Sequence, residues 1–252
     1  MVPKPRRALI ALVPWLLLAA PRASRADDFD ADRPDFTNGT AVVPPRHPQL
    51  ELGWTQDRYQ LGHRDDTFGE SLLRIGLTDR LELRLGGPDW NVSRDPGFFE
   101  SGLGPPGVGL KWRLAPGDAM FSTGLLLDVG LPGGAGSFER DGYDVDGTLA
   151  GELDGEQGGV SANFTLSREG PSDARVWSGA LTLSGERDWS ERWSSFLEWY
   201  EVLDDTDHRP DFVDTGVMWM VAHWTQLDAR IGGRIDRGEG HVFFGAGIAR
   251  RF

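Results

Sequence analysis

The chain has 252 residues, 26 of them basic and 39 acidic, for a net charge of −13, and it contains no cysteine. That balance argues against nucleic acid as a partner, and the lack of cysteine rules out a disulfide framework. After the first 26 residues, no apolar run approaches the roughly 18 residues that mark a transmembrane helix, which leaves open only a membrane crossing built from strands.

Residues 1–26 differ from everything that follows. Lys4, Arg6 and Arg7 form a basic start, Ala8 to Ala20 is apolar except at Pro14, and Ser24-Arg25-Ala26 supplies small residues where a signal peptidase reads. The apolar run is too short for a helix of about 20 residues to cross a bilayer, so a cleaved secretory signal peptide is expected. Cleavage removes five basic residues and no acidic one, leaving 21 basic against 39 acidic residues and a net charge of −18. On that figure anionic lipid headgroups, like nucleic acid, are not expected partners.

Residues 27–46 carry Pro34, Pro44 and Pro45 and are too irregular for a strand. They are expected to fold into the periplasmic mouth of whatever follows and constrict it. From residue 47 to 252 the chain reads as strand after strand at period two. Leu81, Leu83 and Leu85 alternate with Glu82, Arg84 and Gly86; Leu227, Ala229 and Ile231 alternate with Asp228, Arg230 and Gly232. One face of each strand is aliphatic or aromatic, and the other is glycine, small polar or charged.

Twelve segments are expected, near 47–60, 67–78, 80–92, 105–114, 119–131, 143–153, 156–168, 174–187, 193–204, 211–223, 226–236 and 240–252. Short connections such as Thr78-Asp79-Arg80, Asp154-Gly155 and Trp224-Thr225-Gln226 alternate with longer ones at 93–104, 131–142, 168–173 and 204–210. Tight turns on one side and long loops on the other are the layout of a single all-β, antiparallel outer-membrane barrel of about twelve strands. An even count returns the C-terminus to the periplasmic side. Trp189, Trp193 and Trp224 fall at the short turns, Trp90 near the expected outer edge and Phe252 at the periplasmic end, as interfacial girdles require.

Counting back in twos from Phe252 gives Arg250, Ile248, Ala246, Phe244 and Val242. This is similar to the terminal strand of bacterial outer-membrane proteins, with Arg250 in place of the usual aromatic, and the similarity implies recognition by the barrel-assembly machinery. More specific are Asp32-Arg33-Pro34-Asp35-Phe36-Thr37 and the hairpin from Leu72 to Arg84, reading LLRIGLTDRLELR. The chain resembles in these segments the outer-membrane transporter family named for the meta pathway of phenol degradation. The resemblance implies a barrel in the bacterial outer membrane and a transport role for small solutes, aromatic ones among them.

No catalytic constellation emerges. Asp205, Asp207 and His208 share an expected outer loop, a placement that surface proteases of the omptin type also use, but the segment from Leu203 to Asp211 reads as a solvated polar loop. The glycine clusters at 102–104 and 130–134 lack the lysine and the following helix of a phosphate loop. Neither metal-ligand spacing nor a cofactor motif is present, and no enzymatic role is expected.

The feature that carries function is the polar face. Glu51, Arg74, Glu82, Arg84, Lys111, Arg113, Asp128, Glu198, Asp228, Arg230 and Arg234 all fall on it. A charge facing lipid at the midplane costs about 2–4 kcal/mol, so these side chains are expected to face the lumen. Two classes of function remain: a narrow, porin-like channel or transporter selecting small solutes by lumen charge, and a closed structural or interaction barrel that transports nothing. The expected partners are outer-membrane lipids, the assembly machinery and an unidentified solute.

Overall fold

The computed structural model describes residues 29–115, 120–170, 176–203, 209–236 and 238–252. The expected signal peptide, and Asp205, Asp207 and His208, lie outside the described residues. Fourteen strand segments are present among those described: β1 (Gln49–Tyr59), β2 (Arg64–Thr78), β3 (Leu81–Gly86), β4 (Trp90–Asp95), β5 (Phe98–Leu103), β6 (Gly107–Arg113), β7 (Phe121–Gly130), β8 (Asp144–Gly155), β9 (Gly158–Glu169), β10 (Val176–Asp188), β11 (Trp193–Leu203), β12 (Asp211–Ala222), β13 (Thr225–Arg234) and β14 (His241–Arg251).

These segments form a closed barrel of twelve antiparallel staves. β3 and β4 make one stave and β5 and β6 another, because β2 pairs with both β3 and β4, and each of these pairs onward with β6 and β5 respectively. β1 closes the ring by pairing with β2 on one side and with β14 on the other, Gln49 opposite Arg251 through to Tyr59 opposite His241. Closure leaves no sheet edge and pairs the backbone within the wall, as lipid demands.

Alternation sorts the side chains. Leu110, Leu125, Leu127, Leu149, Phe164, Leu166, Leu227, Ile231 and Ile248 are exposed on the outer face, while Glu82, Lys111, Glu198 and Asp228 are buried on the inner one. So much apolar surface around one ring of staves would be an aggregation liability in water and is the lipid-facing band of a membrane barrel.

Three expectations need correction. Residues 93–104 are not a long loop: β4 and β5 run through them and turn at Pro96-Gly97, where Gly97 takes φ +85°. Pro88 and Pro105-Pro106 interrupt two neighbouring staves at one height. Proline cannot donate to the ladder, so the interruption is bridged by single bonds, Gly87 N to Ser71 O at 2.9 Å and Gly104 N to Asp89 O at 2.7 Å. Trp90 accordingly lies within the wall opposite Phe68 rather than at its outer edge. Long–short alternation is also weaker than expected, because the connections at 60–63 and 96–97 are both short.

The loop at 131–143 folds back on β5. Ala135 N donates to Leu103 O at 2.9 Å and Ser137 N to Glu100 Oε1 at 2.8 Å. Gly102 permits this approach, since a Cβ there would lie 2.7 Å from the Ala135 carbonyl oxygen.

Candidate functional site

Residues 29–46 run inside the ring, hydrogen-bonded to inward side chains of the wall. Phe36 N and Thr37 Oγ1 donate to Glu198, and Thr37 Oγ1 also reaches Thr182 Oγ1 at 2.7 Å. Asn38 N donates to Asn163 Oδ1 at 2.7 Å, Thr40 N to Glu152 at 2.9 Å and Val43 N to Glu82 at 2.7 Å. Short irregular segments bury backbone donors only where the surroundings supply acceptors, and here inward carboxylates and amides of the wall do so.

Asp32 is the centre of the charge pattern. Its Oδ1 lies 2.8 Å from Lys111 Nζ and 3.4 Å from Arg74 Nη1, and its Oδ2 accepts from Arg84. Burial alone would raise the Asp32 carboxyl, but the Arg74, Lys111 and Arg84 cations outweigh it and hold that carboxyl well below the usual range. Arg74 is saturated: Nε donates to Glu82 at 2.8 Å, Nη1 to Glu51 at 3.1 Å and to Asp30 O at 3.2 Å, and Nη2 to Ala41 O at 3.2 Å. Three cations thus face three carboxylates, Asp32, Glu51 and Glu82, which is the condition under which buried charge is tolerated.

Arg33 reaches the adjoining staves β2, β1, β14 and β13. It pairs with Glu70 at 2.8 Å and Asp228 at 3.3 Å, and its guanidinium lies flat against Gly53 and Gly247. These glycines are opposite each other in the β1–β14 register, and a Cβ on either would fall 2.1 or 2.2 Å from Arg33. Gly76 does the same for the backbone of the segment: a Cβ there would lie 2.0 Å from Val43 O. Inward glycines therefore form the bed in which the segment rests.

Phe36 faces the other half of the lumen. Its ring sits 4.7 Å from Tyr200 and 5.8 Å from Phe243, with the Arg230 guanidinium 4.4 Å above it. Arg230 also donates to Pro34 O at 2.8 Å. Further along, Tyr200 stacks on Phe212, and His241 stacks on Tyr59, so the inner wall beyond the segment is aromatic. Between the segment and the wall remains a polar cavity of about 280 Å³, bordered by Asp30, Asp35, Arg74, Arg113, Glu152 and Glu186.

The structure brings most of the sequence-derived candidates together. Glu51, Arg74, Glu82, Arg84 and Lys111 surround Asp32; Arg113 donates to Thr40 O at 3.3 Å; Glu198, Asp228 and Arg230 hold Thr37, Arg33 and Pro34. Asp128 is half-exposed beside Arg84 at 3.5 Å. Arg234 stands apart, paired with Asp236 at 2.5 Å. Phe252 N donates to Pro48 O at 2.9 Å, and Arg250 lies over the Phe252 ring.

What the sequence reading lacked was the partner: Asp32, Arg33, Phe36 and Thr37 as ligands of the wall, and Gly53, Gly76 and Gly247 as its bed. The signal was present in glycines at inward period-two positions. Among the described residues no group of three acidic or histidine side chains is placed to hold a metal ion.

The barrel has counterparts among solved structures. An outer-membrane channel from Pseudomonas putida F1 superposes with a TM-score of 0.63 at 16% identity, over 88% of this chain and 100% of that one. The NanC porin gives 0.57 at 7% identity over 81% and 100%, and the KdgM porin 0.52 at 9% over 80% and 99%. At these identities the likeness is one of fold. A local sequence similarity of 32% over 111 residues joins 42% of this chain to 79% of Protein ApaG from Rhizobium leguminosarum bv. trifolii (strain WSM2304). That stretch is too short to encompass the closed ring. The family profile described as "Putative MetA-pathway of phenol degradation" matches residues 31–252, from the lumen segment to the last residue. The chain belongs to that family.

Proposed function

We propose that the protein is an outer-membrane channel or transporter for small solutes, in which the lumen segment sets the conducting path and inward charges select what passes. The supporting observation is the lock between Asp32-Arg33 and the wall, ion pairs to Lys111 on β6 and Asp228 on β13 that act beside the backbone hydrogen bonds of Phe36, Asn38, Thr40 and Val43. Charge pairs can exchange with solvent or a polar solute as an apolar core cannot. The exposed ring of Phe36, with Tyr200 4.7 Å away, offers planar solutes a stacking surface on the segment itself. The acidic border of the remaining cavity disfavours anions. Similarity in fold to channels and porins supports a barrel without a catalytic step.

In this reading residues 1–26 direct export and are cleaved, and the terminal strand ending in Phe252 is read by the assembly machinery. The balanced ion cluster also fits a permanently closed structural barrel. Flux of aromatic and of non-aromatic solutes into liposomes holding the refolded protein separates the two. A channel passes small solutes, and Asp32→Asn and Arg33→Ala raise the flux. No flux in the wild type and in both variants would leave only the closed barrel.

A further inference from the structure

The outer face of the wall carries a charge feature that the lipid band does not explain. β1, β2 and β4 are neighbours, and their register puts Arg58 opposite Arg64 and Arg64 opposite Arg94. Three arginines therefore stand side by side in one row. Like charges directly opposite each other destabilise a sheet. The row lies on the outward face: Phe68 and Trp90, each four residues from an arginine of the row and at the same strand parity, are exposed lipid-facing rings.

Beneath the row sits Asp66, 1% exposed. It accepts from Arg64 Nε at 2.9 Å, Arg94 Nη1 at 2.5 Å, Gln56 Nε2 at 2.6 Å and Trp54 Nε1 at 3.3 Å. Arg58 is held by Gln56 at 2.8 Å and lies over the Phe244 ring at 4.8 Å, and Arg94 lies over Phe99 at 5.5 Å. One carboxylate against three guanidiniums leaves two positive charges. The Arg64 and Arg94 side chains remain 40% and 41% exposed, so donors are free to face outward. The nearby acids point elsewhere. Asp57 pairs with His241 at 2.7 Å inside the lumen, and Asp65 and Asp95 pair with His63 at 3.0 and 2.9 Å.

The height of the row defines its surroundings. Arg58 and Arg94 are each one residue from the end of their strand, at the rim opposite the chain ends, which in such a barrel is the outer leaflet. An arginine facing lipid costs about 2–4 kcal/mol at the midplane and about 0–1 kcal/mol near the interface, so this is the level at which the row is tolerated. Guanidiniums present paired donors that match phosphate oxygens.

We propose that Arg58, Arg64 and Arg94, organised by Asp66, bind the phosphorylated headgroup of an outer-leaflet glycolipid, with Phe99, Phe244 and Val242 against its acyl chains. The local charge here runs against the expectation, drawn from net charge, that anionic headgroups are not partners. At this rim Asp57, Asp65 and Asp95 pair with histidines while Arg58, Arg64 and Arg94 face outward, a local sorting that a total of −13 conceals.

The test is native mass spectrometry of the full chain in detergent, titrated with bisphosphorylated lipid A, with a phosphate-free glycolipid of equal acyl number, and with inorganic phosphate as competitor. Bisphosphorylated lipid A is expected to bind at least about tenfold tighter than the phosphate-free lipid. Arg58→Gln, which leaves the Asp66 contacts intact and so preserves the local fold, is expected to remove most of that difference, and Arg58→Lys to restore part of it. Millimolar inorganic phosphate is expected not to displace the lipid. Equal binding of the two lipids, unchanged binding by Arg58→Gln, or displacement by free phosphate would each overturn the proposal. Conductance is measured on the same samples, so loss of lipid binding and loss of transport are distinguishable.

Discussion

Asp32 and Lys111, 79 positions apart, meet at 2.8 Å in the barrel interior, where Lys111 Nζ has no exposure to solvent. The same carboxylate contacts Arg74 and Arg84 from the hairpin that follows β1. The two segments that mark the family in sequence are thus a ligand and its receptor. The opening Asp32 to Thr37 is what the wall holds, and the Leu72 to Arg84 hairpin is part of what holds it.

Removing the central carboxylate tests this directly. Asp32→Asn leaves Arg74, Arg84 and Lys111 buried with one counter-charge fewer, and breaking such a buried group destabilises by about 3 kcal/mol. The expected outcome is a lower midpoint for heat-induced gel migration, together with protease access to residues 29–46 in the otherwise intact barrel.

The glycine bed makes a graded prediction. Gly53→Ala pushes only on the flexible end of Arg33, so barrel stability should change little while the Arg33–Asp228 pair is lost. Gly76→Ala drives a methyl group into the Val43 backbone, and overpacking of that kind costs about 1–3 kcal/mol. Denaturant midpoints of the two variants should therefore separate, with Gly76→Ala the lower.

The aromatic half of the lumen should discriminate between solutes. Stacked ring pairs contribute about 1 kcal/mol beyond area burial, so Tyr200→Ala should weaken saturable uptake of an aromatic solute about fivefold. Uptake of a non-aromatic solute of similar size should be unaffected. Liposome flux of the two solutes side by side reads the ratio.

One pH dependence follows from His63, which lies between Gly62 and β2 at the outer rim. Slight desolvation pulls its pKa down, but hydrogen bonds to Asp65 and Asp95 outweigh this and raise it above the ordinary value. A raised histidine pKa gives stability that is complete below the unfolded value of about 6.5 and is lost as pH rises through the folded value. NMR titration of His63 should give a midpoint above about 6.5. His63→Gln should remove the corresponding pH dependence of amide exchange at 62–65.

Much of the barrel was legible because a membrane wall obeys a strict rule: period two, with lipid on one side and charge on the other. That rule placed Glu82, Lys111, Glu198 and Asp228 on the inner face from sequence alone. It gave no help where proline interrupts a stave without ending it, which is why 93–104 read as a loop although β4 and β5 pass through it. Nor could periodicity find the ligands of the inner wall. Asp32, Arg33 and Thr37 lie in an aperiodic segment, and their roles depend on residues up to 195 positions away. The arginine row was hidden for a related reason. The kink at Gly69-Glu70, where Glu70 takes φ +35°, inverts the parity of β2, so that Asp66 and Arg64 face outward while Arg74 faces in.

The most direct test of the lumen segment as the element that controls passage uses a close pair of neutral side chains joining it to the wall, Thr37 and Thr182 at 2.7 Å. The native chain has no cysteine, so Thr37→Cys with Thr182→Cys introduces a single disulfide that ties segment to wall. In planar bilayers the oxidised pair should show markedly lower conductance than wild type, and reductant should restore it. Equal currents before and after reduction would show that the segment does not control the path.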